Sequence, residues 1–226
     1  SYVQDLLEWR HQQGYKVYSV STSEIDNNAS EVKSYIQNAY QTWDIPPEFV
    51  GLIGDVSGTY GIGYFTENWS GYFGEGDQPY ALLEGDDLLP EVFVGRLSVS
   101  SSSNISTVIN KIIAFEKGNY IDQFDMNWYE SSALVGDPSS SGQSTIITNE
   151  YIENMMEING FENIQTNFGQ GSYSNWMQNK LEEGILYFNY RGYIGNSGFY
   201  NTNINNANNG YKTPFVTFIT CGTGGY

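Results

Sequence analysis

The chain has 226 residues, 26 of them acidic and 9 basic, so its net charge is −17 with its one His neutral, and its pI is about 4.1. That balance excludes a nucleic-acid partner, because polyanion binding draws on clustered Lys and Arg that release condensed counterions, and no basic cluster is present. With 39% apolar and 16% aromatic residues against 15% charged, the sequence has the material for a core, while its single Cys excludes a disulfide framework and a thiolate zinc cluster. No apolar run approaches the roughly 20 residues that span a bilayer, and the first residues lack the pattern of a signal peptide. Abundant Tyr, Gly, Asn and Ser with few Lys is a composition associated with exported bacterial proteins, and the excess carboxylate favours hard cations, calcium first.

In chain order, Tyr2 to Gln13 places Val3, Leu6 and Leu7 on one helical face, with Gly14 as the stop. Lys16 to Ser21 alternates like a strand. Ser30 is placed to cap a helix in which Val32, Ile36 and Tyr40 recur at helical spacing, and Phe49 to Ile53 is a short apolar strand closing on Gly54-Asp55. From Ser57 to Gln78 no period is sustained, which predicts a long surface excursion. Glu91 to Leu97 returns to strand, and Asn104 to Lys117 carries the clearest apolar helical stripe. The polar, turn-rich stretch from Gly118 to Trp128 divides a first α/β subdomain, residues 1–120, from a second, residues 121–226. The second cycle reads as strand Ser132 to Val135, a loop to Gly142, helix Ser144 to Asn159, and a short strand at Asn163 to Thr166. Helix Ser172 to Glu182, strand Ile185 to Tyr190 and strand Phe215 to Thr220 complete it. Such alternation predicts mainly parallel sheets covered by helices on both faces.

In open parallel sheets reactive groups collect beyond the carboxyl ends of strands. Three apolar segments end that way, at Gly54-Asp55, at Gly192-Tyr193 and at Cys221-Gly222. Cys221 is followed by Gly222, Thr223, Gly224 and Gly225, small residues whose N–H groups are able to approach an oxyanion, which makes it a candidate nucleophile. The competing reading is a small apolar core residue, since Cys is among the most buried types.

The blocks GLIGDV, GDQPYALLEGDDLLPEVFVGRLS, VINKIIAFEKG, YFNYRGY and TPFVTFITCGTG, in that order over nearly the whole chain, resemble the gingipain family of cysteine peptidases. The resemblance implies an α/β, caspase-like (gingipain-type) three-layer sandwich with mainly parallel sheets in two consecutive subdomains. It implies peptide-bond hydrolysis with Cys221 as nucleophile, Gly192 and Gly222 in the oxyanion region, and Asp137 as the acidic residue that orients a catalytic His. Where the family carries that His in a Gly-His-Gly block, this sequence reads Gly192-Tyr193-Ile194, and its one His is His11, on the first helix. Hydrolysis is therefore expected to be impaired. A pseudopeptidase serving as an exported binding or structural module is the alternative, and a base from another part of the polypeptide is the third possibility.

Asp137 is equally readable as a loop or calcium carboxylate, and Arg191 as a salt-bridge partner for one of the many carboxylates. Family members that cut after Arg carry an Asp where this sequence has Ser144-Thr145-Ile146, so Arg selectivity is not implied. Structural Ca²⁺ is implied, with Asp86, Asp87, Glu84, Asp77 and Asp55 as candidate ligands, although Gly-Asp-Asp is also ordinary turn chemistry. No organic cofactor is implied. A polypeptide substrate or protein partner is. So is secretion or cell-surface display by a bacterium, by a type IX route. The family opens with a core strand before the first helix and continues beyond the Cys block. The resemblance thus makes these residues an excerpt of a longer chain, incomplete at the N-terminus of the first subdomain and the C-terminus of the second, and not expected to be stable alone.

Overall fold

The computed structural model describes residues 3–119 and 126–223, and in it the chain divides into two compact units, residues 1–113 and 114–225. The first unit contains α1 (Gln4–Gln12), α2 (Thr22–Ile25), α3 (Ala29–Thr42), β1 (Phe49–Ile53), β2 (Phe65–Trp69), β3 (Tyr72–Gly76), β4 (Phe93–Leu97) and most of α4 (Ser102–Lys117). Strands β1 and β4 pair in parallel, Phe49 opposite Phe93 through Ile53 opposite Leu97. Successive strand residues face opposite ways, and β1 shows it. Leu52 packs with Val32 and Ile36 of α3, whereas Ile53 packs with Leu6 of α1 and Ile105 and Ile109 of α4. Helices therefore cover both faces of this short sheet.

Three expectations change in this unit. Lys16 to Ser21 joins no ladder among the described residues, because alternation without a neighbouring strand leaves extended backbone unpaired. Its side chains serve as aromatic cover instead, with Tyr18 4.3 Å from the Trp43 ring and the Lys16 ammonium 5.2 Å from the Tyr18 ring. The cap of α3 is Asn28, whose Oδ1 accepts the Ser30 N–H at 2.8 Å, and Ser30 lies inside the helix. The excursion after Ser57 contains an antiparallel hairpin of β2 and β3, turned by Ser70 and Gly71 with φ of 49° and 89°. Two positive φ values are the requirement of the two-residue turn that matches strand twist, and Gly71 meets it without strain.

The second unit contains β5 (Ser131–Gly136), α5 (Pro138–Ser141), α6 (Ser144–Ile158), β6 (Asn163–Asn167), α7 (Tyr173–Glu183), β7 (Tyr187–Ile194), α8 (Asn201–Asn206) and β8 (Phe215–Cys221). Its four strands are parallel in the order β6-β5-β7-β8. Central β5 is buried at all six positions. Ala133, Val135, Phe188 and Tyr190 pack with Met177 and Leu181 of α7. On the opposite face Asn189 Nδ2 donates to Asn149 Oδ1 of α6 at 2.8 Å, and Asn149 Nδ2 donates to the Val135 carbonyl at 3.0 Å. The sheet is thus sandwiched between α6 and α7. Each fully buried aliphatic or aromatic side chain in such a core contributes roughly 1.5–3 kcal/mol, which orders the central strands and, through them, the loops at their carboxyl ends.

Candidate active site

Strands β5, β7 and β8 all present their carboxyl ends at the same edge of the second sheet, since all three are parallel. Arg191 pairs with Ile219 and Ile194 with Cys221, so β7 spends three residue steps where β8 spends two. The extra residue makes a bulge at Gly192-Tyr193, a device that re-aims side chains at the rim of a sheet. Gly192 is needed there because a Cβ would overlap the Tyr190 hydroxyl and come within 2.8 Å of its ring carbons. Arg191 secures the bulge with a guanidinium N–H to the Gly192 carbonyl at 2.7 Å and to the Ile219 carbonyl at 3.2 Å. The expected salt bridge to a carboxylate is replaced by these carbonyl bonds, because a kinked strand frees its oxygens from the ladder.

Cys221, the last residue of β8, is exposed, which removes the reading of it as a core residue. Its carbonyl accepts the Gly195 N–H at 2.9 Å, and Thr220 Oγ1 donates to the Gly195 carbonyl at 3.0 Å, tying the loop after β7 to the Cys strand. Gly222 follows with φ of +74°. Gly224 and Gly225, expected to extend this small-residue tail, lie outside the described residues. Tyr193 is one residue from the backbone partner of Cys221 and is 56% exposed. His11, the chain's one His, belongs to the first unit, on α1.

Asp137 caps α5 immediately after β5. Its carboxylate accepts from the Ser139 N–H at 2.9 Å, the Ser139 hydroxyl at 2.5 Å and the Ser197 hydroxyl. Burial pushes this carboxyl upward, but the bonds from Ser139 and Ser197 outweigh it and hold the pKa below the ordinary value. Ser197 also shares a 2.7 Å hydrogen bond with the Tyr190 hydroxyl. Asp137, Ser139, Ser140, Tyr190, Tyr193 and Ile194 line a small pocket of about 130 Å³. The geometry therefore brings Asp137 and Tyr193 to one pocket, with Gly192 at its bulge, while Cys221 lies on the neighbouring strand outside that lining. Ser139, Ser197 and Tyr190 were not singled out by sequence. Asp137-Pro138-Ser139 is an N-cap pattern that signals the first of them; nothing in the sequence signals Ser197.

The carboxylates considered for calcium do not gather. Asp77 is held by Arg96 at 2.7 Å, Asp55 Oδ1 accepts the Val56 N–H, Asp87 Oδ1 accepts the Leu89 N–H, and Glu84 and Asp86 are exposed. Among the described residues no three His, Cys, Asp or Glu side chains converge to hold a metal, so these five do not fit a single Ca²⁺ site. Thr145, in the stretch weighed above for Arg selectivity, is fully buried and donates to the Gly142 carbonyl at 3.1 Å, so it belongs to the packing of α6.

Among proteins of known function, the chain is 23% identical to gingipain R2 of Porphyromonas gingivalis over 99% of its own length and 31% of that protein. It is 26% identical to Lys-gingipain of the same species over 62% of its length and 8% of that protein. The chain thus spans less than a third of the relatives it matches. The crystal structure of the Arg-specific cysteine proteinase gingipain R superposes with a TM-score of 0.82 at 22% identity, over 98% of this chain and 52% of that one. The fold is the caspase-like fold of gingipains. A family model described as peptidase family C25 matches residues 1–226. On that match over its whole length, the chain belongs to peptidase family C25.

Proposed function

We propose that this chain is the nucleophile-bearing part of a gingipain-like cysteine peptidase whose hydrolysis is impaired, with Cys221 as the attacking thiol and Tyr193 in the place of the imidazole. The observation that carries the reading is the bulge of β7, which sets Tyr193 one residue from the backbone partner of Cys221 in a unit without a His. A Cys thiol with a pKa near 8.5 is only a few per cent thiolate at neutral pH, and a neighbouring imidazolium normally lowers that value. A phenol with a pKa near 10 supplies no cation and is a poor acceptor for the thiol proton at neutral pH. In the acylation step the thiolate adds to the peptide carbonyl, the C–N bond breaks, and the departing amine takes up a proton. Without imidazole neither transfer is assisted, which forfeits a factor on the order of 10²–10⁴.

The test is Tyr193→His, with peptide turnover and thiol-probe labelling as readouts. Turnover should rise by a factor on the order of 10² or more, and Cys221→Ser in the same background should abolish it and the labelling. Wild-type turnover equal to that of Tyr193→His sinks the reading, as does a failure of the probe to label Cys221 in either form.

The exposed phenol of Tyr193 beside hydroxyl-lined Asp137 favours a second reading, an exported scaffold that binds polypeptide without cutting it. A Tyr193→His variant that binds peptides yet cleaves none identifies this case. For the site of action we propose the bacterial cell surface or exterior, supported by the kinship with the Porphyromonas proteins. No helix among the described residues is long and apolar enough to cross a membrane.

A further inference from the structure

Helix α6 rests on the sheet of the second unit through Thr145 and Asn149, both fully buried. Its outer side carries Ile147, Tyr151, Met155 and Ile158, which are 61%, 66%, 40% and 70% exposed. At 3.6 residues per turn these four fall within an arc of roughly 80°, a continuous stripe along the helix. Isolated apolar side chains on a surface need no explanation. A stripe of four large ones reaches the few hundred Å² that mark an interaction site. Beside it run Glu150, Glu153 and Glu157, again at helical spacing on one side of the stripe, and α6 contains neither Lys nor Arg. Among the described residues no cation is paired with these three carboxylates. Burial, and then the charges of Glu157 and Glu150, raise the Glu153 carboxyl above its ordinary pKa.

We propose that this face docks an amphipathic helix of a partner protein, with apolar residues covering Ile147, Tyr151, Met155 and Ile158 and Lys or Arg residues meeting Glu150, Glu153 and Glu157. Helix-on-helix packing interdigitates residues spaced three and four apart, which is the spacing of this stripe. The carboxylate row fixes the sign of the partner's charge and the direction from which its basic side approaches. A second copy of this face is the wrong occupant, because α6 carries neither Lys nor Arg to meet the row of Glu150, Glu153 and Glu157. An anionic membrane is wrong for the same reason, since helices that lie on membranes carry Lys and Arg on the polar face.

The probe is a labelled synthetic helix with Leu at its seam positions and Lys flanking them, compared by fluorescence anisotropy with a twin in which every Lys is Glu. The Lys helix should bind the wild-type protein at least about tenfold more tightly than its twin. The triple variant Ile147→Ser/Tyr151→Ser/Ile158→Ser keeps the net charge and should lose about tenfold or more in affinity. The variant Glu150→Gln/Glu153→Gln/Glu157→Gln should lose about as much, whereas Glu31→Gln/Glu67→Gln/Glu162→Gln, which removes the same charge elsewhere, should change affinity by less than about twofold. Circular dichroism on each variant checks that the fold is retained. Equal binding of the two peptides, unchanged binding by the Ser variant, or equal losses in the two Gln variants would overturn the proposal. So would a wild-type dimer in sedimentation that the Ser variant dissolves, or co-sedimentation of wild type but not the Ser variant with phosphatidylcholine vesicles.

Discussion

Two aspartates in this chain follow a glycine at the end of a strand and precede a proline within two residues, Asp77 after β3 and Asp137 after β5, and they are stabilised in opposite ways. Asp77 meets the Arg96 guanidinium through two bonds of 2.7 and 2.8 Å, in a place where the two side chains are 16% and 5% exposed. The same guanidinium donates to the carbonyls of Gly54, Asp55, Ile62 and Gly63 at 2.9–3.2 Å, so one cation ties three loop segments together. Asp137 has hydroxyl and amide donors in place of a cation. Hydrogen bonds stabilise its charge without cancelling it, and its field reaches the neighbouring phenols. Tyr173 is raised above its ordinary pKa by burial first and by Asp137 second, and Tyr190 by burial first, with Asp137 adding to it and the Ser197 bond opposing. The ion pair holds loops in place, whereas the hydroxyl-bound carboxylate leaves net negative charge beside a pocket.

Removing the cation should give the largest effect in the molecule. Arg96→Ala strands a largely buried carboxylate and four carbonyl acceptors, and the loss of one partner from such a pair costs about 3–5 kcal/mol. Urea unfolding should show that loss as a lower midpoint at constant slope. Tyr80, whose hydroxyl donates to the Gly63 carbonyl at 2.6 Å and whose pKa burial pushes up to about 12, lies in the same cluster and should lose protection from near-ultraviolet solvent perturbation. The double variant Arg96→Met/Asp77→Leu should recover most of the stability, since paired apolar replacement removes the stranded charge. A double variant no better than Arg96→Ala would mean that the carbonyl bonds, more than the ion pair, hold the loops.

The second carboxylate should respond less, and to pH. Asp137→Asn keeps the size of the side chain but weakens an N-cap and two hydroxyl bonds, for a cost of about 1–3 kcal/mol at neutral pH. Because the folded pKa of Asp137 lies below its ordinary value, its contribution is fully present above the unfolded carboxylate pKa of about 4 and is lost as pH falls through the folded value. The gap between wild type and Asp137→Asn in urea midpoint should therefore stay constant near neutrality and close on acidification below about pH 4. Parallel acid curves would show that Asp137 gains nothing from its charge in the fold.

The contrast between the two aspartates also measures what sequence can carry. Strands β1, β4 and β5 and helices α4 and α7 are legible because each packs one face or two against a core, and that packing writes a period into the residues, whereas α6 and β8 are legible from apolar residues that lie largely exposed. The hairpin of β2 and β3 is illegible because Phe65-Thr66-Glu67-Asn68 and Phe73-Gly74-Glu75 write no clean alternation, and Ser70-Gly71 is its one local signal. Lys16 to Ser21 misleads for the converse reason, since a period of two says nothing about whether a partner strand exists. At the site, the strand-end positions of Cys221 and Tyr193 follow from Gly-punctuated apolar runs. The bond from Ser197 to Asp137 spans 60 residues and joins two polar loop residues, and no local pattern encodes such a meeting. Arg96 and Asp77 are likewise two ordinary surface types until the fold buries them.

The smallest of the expected effects separates ring from hydroxyl within the network of Asp137. The Tyr190 ring is 1% exposed and lies 5.4 Å from that of Phe218, and its hydroxyl shares the 2.7 Å bond with Ser197. Tyr190→Phe keeps the packing and removes one neutral hydrogen bond, so it should cost about 0.5–1.5 kcal/mol. Because the single Ser197 proton goes to Asp137, the Tyr190 hydroxyl is the donor in its bond with Ser197, and its removal leaves Ser197 donating to the carboxylate without that polarising bond. The cost of Asp137→Asn should then be smaller in the Tyr190→Phe background than in wild type, a coupling of at least about 0.5 kcal/mol in a double-mutant cycle. Strict additivity would mean that the phenol and the carboxylate use Ser197 independently, and the three residues would be neighbours without forming a network.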